Sequence, residues 1–186
     1  MKNSRHSMPQ VNAGSMADIA FLLLIFFLVT AVIPKDDGIN RKLPDACPPN
    51  EICDTKINER NMLDIRVNSN NELFVEHELT TINELKTIVK EFIDNNGDKS
   101  CNYCDGKHID SSSDNPNEAV ISLQNDRNTS YKFYIKVQDE LTKAYYELRA
   151  NHAKKIFNKE VHELTKKELN VVQKAYPFKL SESETK

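Results

Sequence analysis

The sequence predicts an α+β protein: one N-terminal transmembrane helix, then a small β-β-α-β-α domain with a C-terminal helical extension. Three observations carry that prediction. An apolar run from Met16 to Ile33 has no equal elsewhere in the chain. Beyond Asn61, period-two and period-3.6 hydrophobic patterns follow one another in short segments. Capping-box patterns open helices at Thr81 and Thr165.

The apolar run comes first. Its uncharged part, Ile19 to Ile33, would be only about 22 Å long as a helix, against a bilayer core of about 30 Å. A spanning helix, assigned here to residues 15–34, must therefore include residues before Ile19, and this draws Asp18 towards hydrocarbon. Two readings of Asp18 stand side by side. Ser15-Met16-Ala17-Asp18 reads as a capping box, with Ser15 as N-cap and Asp18 reaching back in a first turn that favours negative charge. The same carboxylate, drawn into the membrane, costs roughly 2.5–3.5 kcal/mol when ionised at a helix centre. An intramembrane carboxylate points to a proton or ion path. A secretory signal is the other reading of the run, but no Ala-x-Ala site follows it, and Val32-Ile33-Pro34-Lys35 is a poor cleavage junction. Lys2 and Arg5 before the span, against Lys35-Asp36-Asp37 after it, place the amino end in the cytoplasm and the rest of the chain outside.

The remaining elements follow in order. Residues 1–14 form a polar cytoplasmic tail, and residues 35–60, rich in Pro, Asp and Asn, a linker. A domain then fills 61–180. Leu63, Ile65 and Val67 alternate with polar residues, Ser69-Asn70-Asn71 turns the chain, and Leu73-Phe74-Val75 returns it as a hairpin. Its sheet edges, near Leu73–Glu76 and Phe178–Leu180, suit strand addition by a partner. Ile82, Leu85, Val89 and Phe92 share a helical face. Residues 98–117 read as an exposed loop insertion. Ala119–Leu123 is a buried strand, and Ser130 caps a long helix with Val137, Leu141, Ala144, Tyr145 and Leu148 facing inward. A further helix begins after Thr165 and stops at Pro177, Phe178-Lys179-Leu180 suits an edge strand, and 181–186 is a disordered tail.

Composition removes several function classes. With a formal net charge of −3 there is no basic surface for nucleic acid, and with 4 Gly there is no glycine-rich phosphate loop. No Ser/His/Asp or paired-carboxylate spacing supports an enzyme, and no cofactor is implied. The 4 Cys fall in two close pairs, Cys47 with Cys53 and Cys101 with Cys104, which suits disulfides in an oxidising compartment. Cys101 and Cys104 with His108, and Asp105 or Asp110 nearby, are alternatively spaced for zinc. A Cys-x-x-Cys redox pair is the third possibility, though it normally opens a helix rather than sitting in a polar loop. His77, His152 and His162 lie on polar faces and read as solvated.

Val11-Asn12, then Asp18, then the Leu/Ile/Phe run ending in Leu28-Val29-Thr30, resembles the ExbD/TolR biopolymer-transport family. The family pattern has a Pro three residues before its Asp; here Ser15 stands in that place. The resemblance implies a subunit of an inner-membrane motor driven by the proton-motive force. Asp18 matches the proton-carrying Asp, and Asn12 and Thr30 match polar positions of the same segment. It also implies an ExbB-like polytopic partner ringed around the helix, a TonB-like energy transducer, and homodimerisation within the complex. The β-β-α-β-α order resembles the family's periplasmic domain as well, with Asp126 and Tyr131 at its Asp and aromatic positions. Taken together the likeness spans Val11–Leu148. It leaves open an ExbD role in outer-membrane uptake, a TolR role in envelope integrity, or a passive anchored interaction domain.

Overall fold

The computed structural model describes residues 12–30 and 57–185. The chain divides into two compact units, Met1–Cys53 and Asp54–Lys186. The polar tail before Asn12, most of the 35–60 linker, and with it Cys47 and Cys53, lie outside the described residues.

The first unit contributes α1, Ala13–Thr30, 18 residues or about 27 Å. It starts earlier than the Ser15 cap implies. Asn12 is the capping residue: its Oδ1 accepts the Gly14 N–H at 3.0 Å, and its carbonyl accepts the Met16 N–H at 3.3 Å. Ser15 therefore lies inside the helix, and the first turn holds no acidic residue.

The second unit is a five-stranded sheet of order β3-β2-β1-β4-β5 with helices packed on one face. Its strands are β1 (Met62–Val67), β2 (Leu73–Val75), β3 (Glu78–Thr80), β4 (Val120–Asp126) and β5 (Leu180–Thr185), and its helices α2 (Ile82–Ile93), α3 (Tyr131–Phe157) and α4 (Lys166–Ala175). β1 and β2 pair antiparallel with Ile65 opposite Val75. The connection is a turn in which Asn68 Oδ1 accepts the N–H groups of Asn70 and Glu72, and Asn71 takes a left-handed φ of 61°. A second hairpin, absent from the sequence prediction, adds β3 through Glu76 and His77, both at positive φ. The sheet edge is therefore β3, and Leu73–Val75 is an interior strand.

β4 runs parallel to β1, Ile65 opposite Leu123, after the α2 crossover. Alternation then fills the core. Leu63, Ile65, Val67, Ile121 and Leu123 point to the helices and are buried, while Met62 and Arg66 between them are exposed. Leu85, Val89, Phe92 and Ile93 of α2 meet them, with Val137, Leu141, Ala144, Tyr145 and Leu148 of α3. Each Val, Leu, Ile or Phe among them contributes roughly 1.5–3 kcal/mol when fully buried. Caps set the helix starts. Thr81 and Glu84 form a reciprocal box, Ser130 Oγ accepts from Phe133 N–H, and Thr165 and Glu168 repeat the box at α4.

Three expectations are corrected here. Of the tail 181–186 read as disordered, residues 181–185 are a strand: β5 runs parallel to β4 from Leu180 opposite Ile121 to Thr185 opposite Asp126. Its Ser/Glu/Thr sequence carries no apolar signal because backbone pairing holds it, helped by Glu182, which accepts from Gln138 Nε2 at 2.7 Å and Tyr134 OH at 3.0 Å. The 98–117 insertion is not simply exposed. Asn95 holds it by donating to the carbonyls of Ile109 and Ser113 and accepting the Ile109 N–H, and Asn96 brackets both backbone groups of Cys101. A side chain at Gly106 would collide with the Asp94 carbonyl, so the loop closes tightly against the end of α2. Last, His152 is buried, not solvated.

Candidate functional site

α1 is apolar around most of its circumference and none of its residues is buried within the chain. Phe21, Leu24, Phe27 and Leu28 are among its exposed side chains. A helix apolar all round belongs in a protein core or a membrane. Among the described residues it alone is long and apolar enough to cross a membrane.

Polar groups break that surface at few places. Asp18 is the one charged residue of α1 and stands about 8 Å from the helix start along the axis. Ser15 lies about 60° from it around the helix, and Thr30 about 120° away and about 18 Å further along. Ser15 and Asp18 therefore share a face and Thr30 does not. Thr30 Oγ1 donates to the Phe26 carbonyl at 2.8 Å, which hides its hydroxyl against its own backbone. Asn12 is engaged as the cap. Among the described residues Asp18 has no ion-pair or hydrogen-bond partner, so its carboxyl is the one unengaged charged group this helix offers to whatever surrounds it. Within hydrocarbon such a group enters neutral, or is matched by polar groups of another helix.

The second unit gathers the other predicted positions. Cys101 and Cys104 are joined in a disulfide with their Cα atoms 5.7 Å apart. Neither sulfur is then a thiolate for zinc, and His108 places Nδ1 3.1 Å from the Asn96 carbonyl. Asp126 acts as a turn former: Oδ1 accepts the Asn128 N–H at 2.8 Å and its carbonyl the Thr129 N–H at 3.0 Å. Tyr131 opens α3 in an exposed position, its ring 6.5 Å from that of Tyr134.

Sequence reasoning missed one constellation. Tyr103, His152 and Tyr176 pack ring to ring at 4.7–5.6 Å, drawing together the disulfide loop, α3 and the end of α4. His152 Nδ1 is buried without a hydrogen-bond partner among the described residues, and burial, then the nearby Lys155, push its pKa down. Burial also raises the Tyr176 phenol, reinforced by its hydrogen bond to Asp94 at 2.7 Å. The only signal in the sequence was an aromatic residue between two close cysteines.

The family model described as Biopolymer transport protein ExbD/TolR matches residues 4–151, which takes in α1, β1 to β4, α2 and most of α3. The chain belongs to the ExbD/TolR family. No curated protein matches it in sequence. ExbD/TolR proteins are subunits of membrane transport complexes rather than enzymes, and a membrane-anchored family with one N-terminal apolar helix fits a single-pass membrane protein. In ExbD/TolR terms the chain is a biopolymer-transport energising subunit. Its α4 and β5 lie beyond the matched residues.

Proposed function

We propose that this chain is the ExbD-like subunit of an inner-membrane motor, and that Asp18 carries protons whose movement down the proton-motive force energises TonB-dependent transport across the outer membrane. The observation that carries this reading is the placement of Asp18. It is the single charge of an apolar helix, beyond the capping turn, with no partner among the described residues. Lys2 and Arg5 hold the amino end in the cytoplasm, leaving residues 57–185 periplasmic.

One helix is half of a proton path. Lipid gives Asp18 neither water nor a hydrogen-bond partner, so an ExbB-like polytopic protein supplies polar groups around it, with Ser15 beside it on the same face. Each charge crossing the membrane releases about 2.3 kcal/mol per 100 mV, the energy available to move the helix. The periplasmic unit then passes that motion to a TonB-like transducer, as a homodimer within the complex.

The test is Asp18→Asn, which keeps shape and removes titration. In cells whose complex assembles normally, this variant should fail to energise uptake of a TonB-dependent substrate. Uptake at wild-type level would overturn the proton role. Normal uptake with a leaky envelope after gene deletion would instead assign the TolR role.

A further inference from the structure

The ring closed by Cys101 and Cys104 encloses Asn102 and Tyr103, and Tyr103 touches the segment that ends α4. Its hydroxyl donates to the Ala175 carbonyl at 2.8 Å, and its ring lies 5.6 Å from Tyr176 and 4.7 Å from His152. Tyr176 is the pivot between α4 and β5. Its carbonyl accepts both Arg149 Nε at 2.9 Å and Nη2 at 2.7 Å, and its hydroxyl donates to Asp94. Asp94 in turn accepts the Asp105 N–H at 3.1 Å, one residue past Cys104, and Asp105 pairs with Lys155 of α3. The disulfide loop is thus fastened over the point where α4 gives way to β5.

We propose that the Cys101–Cys104 disulfide is a redox latch: its reduction by a dithiol frees Tyr103 and loosens the α4–β5 segment from the sheet. Both cysteines are partly exposed in a polar loop, where disulfides are open to exchange rather than shielded in a core. A thiolate of the dithiol attacks one sulfur, and the other sulfur leaves and takes up a proton. The second thiol of the reductant then resolves the mixed disulfide. The cysteine pair gains two electrons and two protons, and the dithiol becomes a disulfide.

Opening the ring lets Tyr103 sample many conformations, so its contacts with Ala175, Tyr176 and His152 must meet an ordering cost that the ring had removed. The loosened β5 uncovers the β4 edge from Ile121 to Asp126, a row of backbone groups open to another strand. The β1–β2 hairpin, separated from β5 by β4, stays in place. This latch is independent of Asp18.

The experiment is hydrogen–deuterium exchange on the full chain in lipid nanodiscs, with Cys47 and Cys53 replaced by Ser so that Cys101 and Cys104 are the remaining cysteines. Comparing the oxidised chain with the dithiol-treated chain and with C101S/C104S, peptides covering 166–185 should exchange about tenfold faster, with 62–75 unchanged. Tyr103→Ala in the oxidised chain should reproduce the effect. Acceleration confined to 98–110 would make the disulfide a local staple and overturn the latch. So would acceleration spread equally through β1 and β2, or a disulfide that millimolar dithiol cannot reduce in the folded chain.

Discussion

α1 and α2 are both apolar enough to need burial, yet they meet that need in different ways. α2 is amphipathic and places Leu85, Val89, Phe92 and Ile93 into a core made by its own chain. α1 has none of its 18 residues buried. The stability of α2 is explained within its own unit, whereas α1, an apolar helix without a buried face, suits a membrane. On the proposed function, the difference separates the roles: the unit that folds on itself would be the coupling body, and the helix that does not would be the part that works with other proteins.

The largest expected effect follows directly. Removing residues 12–30 should abolish both membrane retention and co-purification with a polytopic membrane partner, while the second unit keeps its circular-dichroism spectrum. If the second unit alone were sufficient for that association, α1 would be only an anchor. Next in size, Leu141→Ala opens a cavity at a fully buried α3 position and should cost about 2–5 kcal/mol in denaturant unfolding. Leu24→Ala in α1 should leave the same transition unmoved.

Much of this architecture was legible because local signals and global packing agree. Thr81 with Glu84, Ser130, and Thr165 with Glu168 announced three helix starts from short-range chemistry alone. Alternation at Leu63, Ile65 and Val67 announced the central strand. What stayed hidden depended on distant partners. After Leu180, β5 reads Ser-Glu-Ser-Glu-Thr, and only the β4 edge makes that stretch a strand. The burial of His152 depends on Tyr103, 49 residues earlier in the chain, and Tyr176, neither of which its neighbours reveal. Asn12 rather than Ser15 caps α1 because both are good caps and spacing alone does not choose between them. Asp18 itself was visible from the start as a charge too close to an apolar run that is too short.

Smaller effects sharpen the picture of the second unit. Thr165→Ala removes a cap whose hydroxyl donates to Glu168 at 2.8 Å, and should cost about 1 kcal/mol. Glu168, held at about 2 chiefly by Lys159 and then by Thr165, should titrate higher in that variant. The smallest is a pH effect at His152. Tyr103 and Tyr176 cover it, Lys155 opposes its charge, and Asp94 favours it, with burial dominant. Its folded-state pKa therefore lies below the unfolded value of about 6.5. The stabilisation is fully present above that value and is lost as pH falls through it, because the unfolded chain takes up the proton first. Denaturant midpoints should decline from about pH 7.5 to about pH 5.5, and His152→Gln should flatten that decline.

The most direct measurement is proton flux into proteoliposomes holding this chain with its co-purified polytopic partner, under an imposed membrane potential. The complex should conduct, the purified chain alone should not, and Asp18→Asn in the complex should fall to the level of empty vesicles. Undiminished flux through the Asp18→Asn complex would contradict the assignment of Asp18 as the proton carrier.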